Sequence, residues 1–529
     1  MAEQLDCQVI VVGAGPTGLS LAAVLGQAGV DTMVLERRTE PFTAPRAIAY
    51  DAETLRFLQK IGAYEELAPN LMLDTPVLYL GRTGQQIGKV IGATYRFGHS
   101  QLGTFYQPEL EGVVANAVAK MPSVAIRRSM EVGDVLDHER YVEVVASTGD
   151  GQRETLKARY VVACDGGSSR IRERLGIKFA GFTFHERWVV VDLQNDFDND
   201  RTIRFYCDPQ RPAVCLPVSN NRRRWEFLLM PGDDPDEIAS KHSVRALMEG
   251  YGTSPDVHVE RSVVYSFHSR FAESFQRGNV FLAGDSAHVM PPFAGQGLNS
   301  GVRDAANLGW KLAAVCNGQA HPTLLASYEV ERRKSVEALT RLAVRLGRAI
   351  MPTSDRKAKV RDRIMTSLWR LGPWREFMET GRLVPDPMID PSNLLPDDKK
   401  GAAGVKVMGR MLVQPKLGTS RGEVLLDDLL GPGFAALGVG CDPLTALHPE
   451  DLALLEGLDA SLVAVGIPDG PSDPDDALAS FVGGTTCVLI VRPDRFIAQA
   501  VPVAPNDVQL GQFAELHHLG PTPALQIIN

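Results

Sequence analysis

The stretch CQVIVVGAGPTGLSLAAVLGQAGVDTMVLERR, Cys7 to Arg38, restricts the fold more than any other part of the chain. Val9 to Val12 is a continuous apolar, β-branched run and reads as a short buried strand. Gly13, Ala14, Gly15, Pro16, Thr17 and Gly18 then spell G-x-G-x-x-G. Leu19 to Ala28 reads as a helix and Asp31 to Leu35 as a second strand. Each glycine has its own physical task. Gly13 permits a tight turn, Gly15 lets main chain approach a pyrophosphate, and Gly18 lets helix and strand pack closely. The N-terminus of that helix directs unpaired N–H groups and a positive dipole end at phosphate, with Pro16 and Thr17 of the turn as further cofactor-binding candidates. Glu36, 18 residues past Gly18 and followed by Arg37, ends the second strand, where a carboxylate accepts hydrogen bonds from a ribose diol. The combination predicts an α/β, Rossmann-like dinucleotide-binding domain. The motif alone does not choose between FAD and NAD.

Two further stretches share its strand–turn–helix plan. In ARYVVACDGGSSRIRERLG, Ala158 to Gly176, the strand Tyr160 to Ala163 leads into Asp165, Gly166, Ser169 and Arg172, a D-G-x-x-S-x-x-R pattern. Two readings stay open: an acid and an arginine at a ligand edge, or a helix start capped by Ser168 or Ser169. In GDSAHVMPPFAGQGLNSG, 284–301, Gly284 and Asp285 follow the strand Asn279 to Ala283 at its carboxyl end. Ligands sit at that end in open α/β sheets. Pro292 and the run Gly295, Gln296, Gly297, Leu298, Asn299 then open a long helix, Ser300 to Cys316. A second helix N-terminus of this kind suits a carbonyl or a negative charge developing on a ring. Asp285 is placed to hold a polyol chain. His288 has two readings, a catalytic base or a loop histidine hydrogen-bonded to main chain.

Composition narrows the partners. The 529 residues allow two to four domains, and 44% hydrophobic with 22% charged residues is globular in character. The formal net charge is −9 and no basic stripe occurs, so nucleic acid is not an expected partner. RRR at 222–224 reads as a solvated strand end or turn. The seven cysteines are scattered, odd in number and without C-x-x-C, which disfavours zinc and a disulfide framework; no metal is expected. The N-terminus enters a strand at once, and no apolar run approaches the ~20 residues of a membrane helix. A cytoplasmic protein without a membrane partner is expected.

Residues 183–275 change character. ERWVVVDLQND, RTIRFYCD, RPAVCLPVS and RRRWEFLLMPGD alternate as short strands between turn residues. They predict an antiparallel sheet inserted between the dinucleotide-binding segments. Phe205, Tyr206 and His268 are pocket candidates there, with an ordinary sheet aromatic as the rival reading of Tyr206. VPDPMIDPSNLLPDD marks a boundary near 384–398. Beyond it, SLVAVGIP and TTCVLIVRPDRFIAQAV read as part of a strand–helix–strand unit and a hairpin. The expected plan is 1–182 and 276–395 for dinucleotide binding, 183–275 for a substrate-binding sheet and 396–529 for a C-terminal domain.

Together the three glycine-rich motifs resemble those of the class A flavoprotein monooxygenases, the FAD-dependent aromatic hydroxylases typified by para-hydroxybenzoate hydroxylase and phenol hydroxylase. The motifs cover residues 5–390. The C-terminal segment, VRPDRFIA above all, resembles the thioredoxin-like domain of the phenol hydroxylase and 3-(3-hydroxyphenyl)propionate hydroxylase branches. It lacks C-x-x-C, so thiol redox chemistry is not expected; packing or oligomer contacts, including those of a homodimer, are the use implied. The resemblance implies FAD, with Gly13, Gly15, Gly18 and Glu36 at its ADP half, Arg46 near the flavin and Gln107 in contact with the cofactor. It implies Asp165 near the pyrophosphate and the nicotinamide approach, and Asp285 at the ribityl chain or pyrophosphate. Pro292, Gly295, Gly297, Leu298 and Asn299 would lie along the isoalloxazine. It implies NAD(P)H as a transient co-substrate, O₂, and hydroxylation of a small phenolic aromatic through a flavin C4a-hydroperoxide. Two other readings stay open: a tailoring or inactivating monooxygenase of an aromatic polyketide or antibiotic, and an FAD-binding protein without turnover. No base for phenol deprotonation is named by the sequence; Tyr206, His268 and His288 are the catalytic candidates.

Overall fold

The structure, a computed structural model, describes residues 4–254, 256–390, 406–503 and 519. The boundary expected at 395/396 lies outside the described residues. Five parallel strands form the heart of an eight-stranded sheet, in the order Val280–Leu282, Arg153–Ala163, Cys7–Val12, Thr32–Glu36 and Val124–Arg128. Val9, Ile10 and Val11 are wholly buried, because a parallel sheet is covered on both faces. The register aligns Val12 with both Ala163 and Leu35, and Ala163 with Leu282. The turns at Gly13, Asp165, Glu36 and Gly284 therefore leave the carboxyl edge side by side. Beside this sheet the helices Pro16–Gln27 and Gly297–Cys316 pack through small residues. A Cβ on Gly301 would lie 2.2 Å from Thr17 Oγ1, and one on Gly309 2.8 Å from Val24 Cγ1.

A second eight-stranded sheet runs His288–Val289, His258–Ala272, Phe179–Gln194, Arg222–Leu228, Ala213–Val218, Ile203–Tyr206, Val77–Leu80 and Gln86–Val90. It departs from the expected 183–275 sheet in two ways. Its long strand begins at Phe179, and three strands come from outside the interval. It is also not purely antiparallel, since Ile203–Tyr206 pairs parallel with Val77–Leu80. A four-residue run such as Val77–Leu80 carries no sign of a partner over 120 positions away. The expectation for RRR at 222–224 is corrected too. These residues lie inside a strand, Arg223 and Arg224 are buried, and each binds a buried aspartate, Asp196 and Asp192. Arg224 also donates to the carbonyls of Pro45 (2.7 Å) and Arg46 (2.8 Å), tying this sheet to the loop beneath it.

Residues 406–503 carry a four-stranded sheet, ordered Ser461–Val465, Ala435–Val439, Cys487–Val491 and Ile497–Pro502. Alternation splits its faces. Ala435, Leu437, Leu489 and Val491 build a core of their own, whereas Ala436, Val488 and Ile490 join the main core. There Phe434 meets Trp310 of the long helix edge-on at 5.4 Å. The VRPDRFIA stretch adds buried charge: Arg492 binds Glu331 and Asp494, and Arg495 with Arg56 binds Asp427. Among the described residues no helix is long and apolar enough to cross a membrane.

Candidate active site

A cavity of roughly 410 Å³ lies between the carboxyl edge of the first sheet and one face of the second. Gly13, Gly15, Pro16, Thr17, Glu36, Arg37, Arg46, Gln107, Asp165, Asp285, Pro292, Gly295, Gly297 and Leu298 line one side. Phe205, Val214, Leu216, Arg224 and Glu226 line the other. A smaller hollow of about 60 Å³ lies between the long helix and residues 411–496, walled by apolar residues such as Phe57, Met411 and Phe496 together with ion pairs such as Arg56 with Asp427. It holds none of the loops at the sheet edge.

The first side is a cradle of main chain. Gly13 has φ +105, and a Cβ there would lie 2.5 Å from the Cys164 carbonyl oxygen, so only glycine makes this turn. Gly15 is different: a Cβ there would meet nothing within 4 Å. Its space opens on the helix Pro16–Gln27, whose start has no side-chain cap and so presents free N–H groups. Glu36 accepts hydrogen bonds from Ala14 N (2.9 Å) and Arg38 N (2.9 Å), which fixes its carboxylate at the sheet edge. Asp165 Oδ1 is buried without a hydrogen-bond partner among the described residues. Burial raises the pKa of Asp165, against a hydrogen bond from Ser169 that lowers it. Asp285 opens onto the cavity but is crowded by protein; that desolvation raises its pKa, while His288 and Arg46 oppose it. The long helix also starts without a side-chain cap, and Gly297 likewise has open space where a Cβ would stand. Two uncapped helix starts, two open glycines and an orphaned carboxylate oxygen fit FAD. Gly15 and the first helix would take the pyrophosphate, Glu36 the ribose, Asp285 the polyol and Gly297 the ring edge.

Several expected site residues act from behind the cavity wall. A Cβ on Gly18 would lie 1.9 Å from the Gly13 carbonyl oxygen, and one on Gly284 2.5 Å from Thr17 Oγ1; both glycines serve packing. Asn299 is fully buried, accepts from Thr54 Oγ1 (2.6 Å) and donates to the Gly295 carbonyl (2.8 Å), so it shapes the loop without lining the cavity. Gln107 reaches the cavity, but its amide is occupied. Oε1 accepts from Arg46 N (2.8 Å) and Ala47 N (2.7 Å), and Nε2 donates to Glu111 (2.6 Å). It holds the loop from which Arg46 extends, exposed, with its guanidinium 5.0 Å from the Phe42 ring. Of the two readings of the D-G-x-x-S-x-x-R motif, the helix cap holds, whereas the ligand-edge reading fits the acid but not the arginine. Ser169 caps the helix Arg170–Arg174, Arg172 is buried and donates to the Gly167 and Ser286 carbonyls, and Asp165 faces the cavity.

The three catalytic candidates are corrected. Tyr206 points away from the cavity, 5.8 Å from the Trp225 ring and 4.7 Å from that of Tyr251, because its neighbour Phe205 takes the inner face. His268 pairs across strands with Thr183 (2.9 Å), while Phe267 turns inward to Trp188 and Phe293. His288 is buried, and its partner is a carboxylate rather than main chain: Nε2 lies 2.6 Å from Asp304 Oδ2. Asp304 also binds Arg332 Nε (2.8 Å) and Gly284 N (2.9 Å). Burial works against its ionisation, yet His288 and Arg332 outweigh burial and hold its pKa at about 2. A depressed carboxylate stabilises the fold above its unfolded pKa, and loses that effect as pH falls through the folded value. Urea midpoints should therefore fall between pH ~4 and ~2, and Asp304→Asn should flatten that slope by on the order of 2 kcal/mol. An unchanged slope would remove Asp304 from this role.

Residues that sequence reasoning missed are Val214, Leu216, Arg224 and Glu226. The signal was present in RRRWEFL, where Arg224, Glu226 and Leu228 alternate with Arg223, Trp225 and Phe227. Alternation does not say which face meets the cavity. No group of three or more His, Cys, Asp or Glu able to hold a metal occurs among the described residues.

Comparison with known proteins agrees with this geometry. Residues 6–343 match the family described as FAD binding domain, and residues 409–515 the HcaD C-terminal domain. The chain is 36% identical over 510 residues to 3-(3-hydroxy-phenyl)propionate/3-hydroxycinnamic acid hydroxylase 2 of Burkholderia vietnamiensis, covering 93% of each chain. Among solved structures, it is similar to the flavin-dependent monooxygenase PieE in complex with FAD and substrate, with TM-score 0.83 and 21% identity, over 97% of this chain and 100% of that one. It is also similar to an anhydrotetracycline hydroxylase from Streptomyces rimosus, with TM-score 0.76 and 27% identity, over 98% and 100%.

Proposed function

The chain belongs to the FAD binding domain family, and on that premise we propose that it is a flavin monooxygenase hydroxylating a single-ring phenol at the expense of NAD(P)H and O₂. The observation that carries this reading is the shared cavity. The loops that suit FAD and the inner face of the second sheet bound one space. FAD, when bound, supplies the oxygen-activating chemistry. The chain's own residues do the rest. Phe205, backed by Tyr79 stacked at 5.0 Å, forms with Val214, Leu216 and Phe293 an apolar wall that holds a flat ring and excludes water. The uncapped start of the helix Gly297–Cys316 aims its dipole at the cavity, where it favours negative charge on a bound ring. Full-length similarity to 3-hydroxyphenylpropionate hydroxylases supports a phenol bearing a short side chain. Residues 406–503 serve packing in this reading, as a thioredoxin-like unit without redox cysteines.

The test is NADH and NADPH oxidation by the purified protein, with peroxide and product measured against a panel of phenols. 3-(3-Hydroxyphenyl)propionate should speed oxidation with little peroxide. Acceleration by polycyclic phenols alone would replace this reading with that of a polyketide-tailoring enzyme.

A further inference from the structure

Glu226 stands in a row that crosses the second sheet. Pairing puts it opposite Val190 on one side and Val214 on the other, and carries the row on to Phe205 and Tyr79. Residues paired directly across strands share a face. Phe205, Val214 and Leu216 of that face line the cavity, and so does Glu226. A carboxylate thus stands beside Arg224 among the apolar and aromatic residues of this wall, in a cavity that the loop of Pro292, Phe293 and Gly295 also lines.

Its carboxylate has no hydrogen bond or ion pair among the described residues. Arg224 lies two positions away on the same face, but its guanidinium is committed to Asp192 and to the carbonyls of Pro45 and Arg46. Other charged groups at the site include Asp192 on the neighbouring strand, which also meets Arg261, and Glu36, Arg46, Asp165 and Asp285 on the far side of the cavity. A half-buried carboxylate left unpartnered in a ligand cavity is matched to a donor on the ligand. A flat ring against Phe205 that carries an O–H supplies one; a carboxylate tail does not.

We propose that Glu226 binds the hydroxyl of the phenolic substrate and accepts its proton. The step converts ArOH and a carboxylate into ArO⁻ and a carboxylic acid. The O–H electron pair stays on oxygen, which enriches the ring carbons ortho and para to it. Burial raises the pKa of Glu226, against an opposing pull from Arg224, and so narrows the gap to a phenol. The inference rests on the hydroxylase reading above.

The experiment uses FAD-loaded full-length protein with Glu226→Gln, and with Glu226→Leu, which suits an apolar wall. The probes are 3-(3-hydroxyphenyl)propionate and, as a control lacking the hydroxyl, 3-phenylpropionate. Wild type should show a phenolate absorption band on binding the phenol at a pH where the free phenol is neutral. Both variants should keep their FAD and bind the control as wild type does. They should lose the phenolate band, and hydroxylate about 100-fold more slowly with more peroxide. Either variant forming the phenolate and product as wild type does overturns the role of Glu226 and leaves the hydroxylase reading intact. Wild type that neither binds nor hydroxylates any phenol of the panel overturns both.

Discussion

Replacing Gly15 by valine should give a folded protein that no longer holds FAD. Gly15 has φ −80 and ψ −175, a conformation open to β-branched residues, and a Cβ there meets no protein atom within 4 Å. The apoprotein therefore loses nothing. The added isopropyl group instead fills the space before the uncapped helix start, where a pyrophosphate would accept N–H donors. FAD retained after dialysis should fall at least ~100-fold, with far-UV circular dichroism and thermal midpoint equal to those of wild-type apoprotein. Gly18→Ala provides the contrast. Its Cβ would lie 1.9 Å from the Gly13 carbonyl, so helix and strand must separate, at about 1–3 kcal/mol or more. That variant should lose FAD and stability together. Wild-type FAD content in Gly15→Val would move the dinucleotide off this turn.

The same two glycines show how far the sequence could be read. A motif confined to one strand–turn–helix has its geometry written in consecutive residues, so the positions of Gly13, Gly15, Gly18 and Glu36 follow from the sequence alone. The D-G and G-D motifs were legible for a related reason: each ends a parallel strand, and parallel register brings such ends to one edge. Choices between faces were not legible. Tyr206 and His268 alternate with Phe205 and Phe267, and alternation alone does not say that Phe205 meets Tyr79 and Phe267 meets Phe293 on the inner face while Tyr206 meets Trp225 on the other. Arg224 and Glu226 were hidden by the polar look of RRRWE, since a strand lining a cleft carries charge where a strand in a core would not. His288 was out of reach for another reason, because its partner Asp304 lies 16 residues on, across a helix start.

Glu331→Gln should destabilise the protein by about 3–5 kcal/mol, the loss expected when one member of a buried ion cluster is removed. Glu331 accepts from Lys311 Nζ (2.9 Å), from Arg492 Nη1 (3.0 Å) and Nη2 (2.8 Å), and from Asn307 (2.7 Å). The side chains of Glu331, Lys311 and Arg492 are wholly buried. Burial opposes its charge, but Arg492 and Lys311 prevail and hold its carboxyl well below the usual range. Glutamine keeps the shape and removes the charge, leaving two buried cations with Asp494 as their remaining carboxylate. Burial already lowers the Lys311 pKa to about 8 with Glu331 resisting; without Glu331 it should fall further, and Lys311 should give up its proton. Adding Lys311→Met should then recover part of the loss, because an apolar side chain replaces a buried amine left without its carboxylate partner. The location of the cluster sets the form of the result. Arg492 belongs to the C-terminal segment, whereas Lys311 and Glu331 belong to helices that pack under the first sheet. A urea transition that is single in wild type should separate into two in Glu331→Gln, with residues 406–503 losing structure first. One transition at the wild-type midpoint would mean that the apolar contact of Trp310 with Phe434 and its neighbours, rather than the ion cluster, joins the two parts.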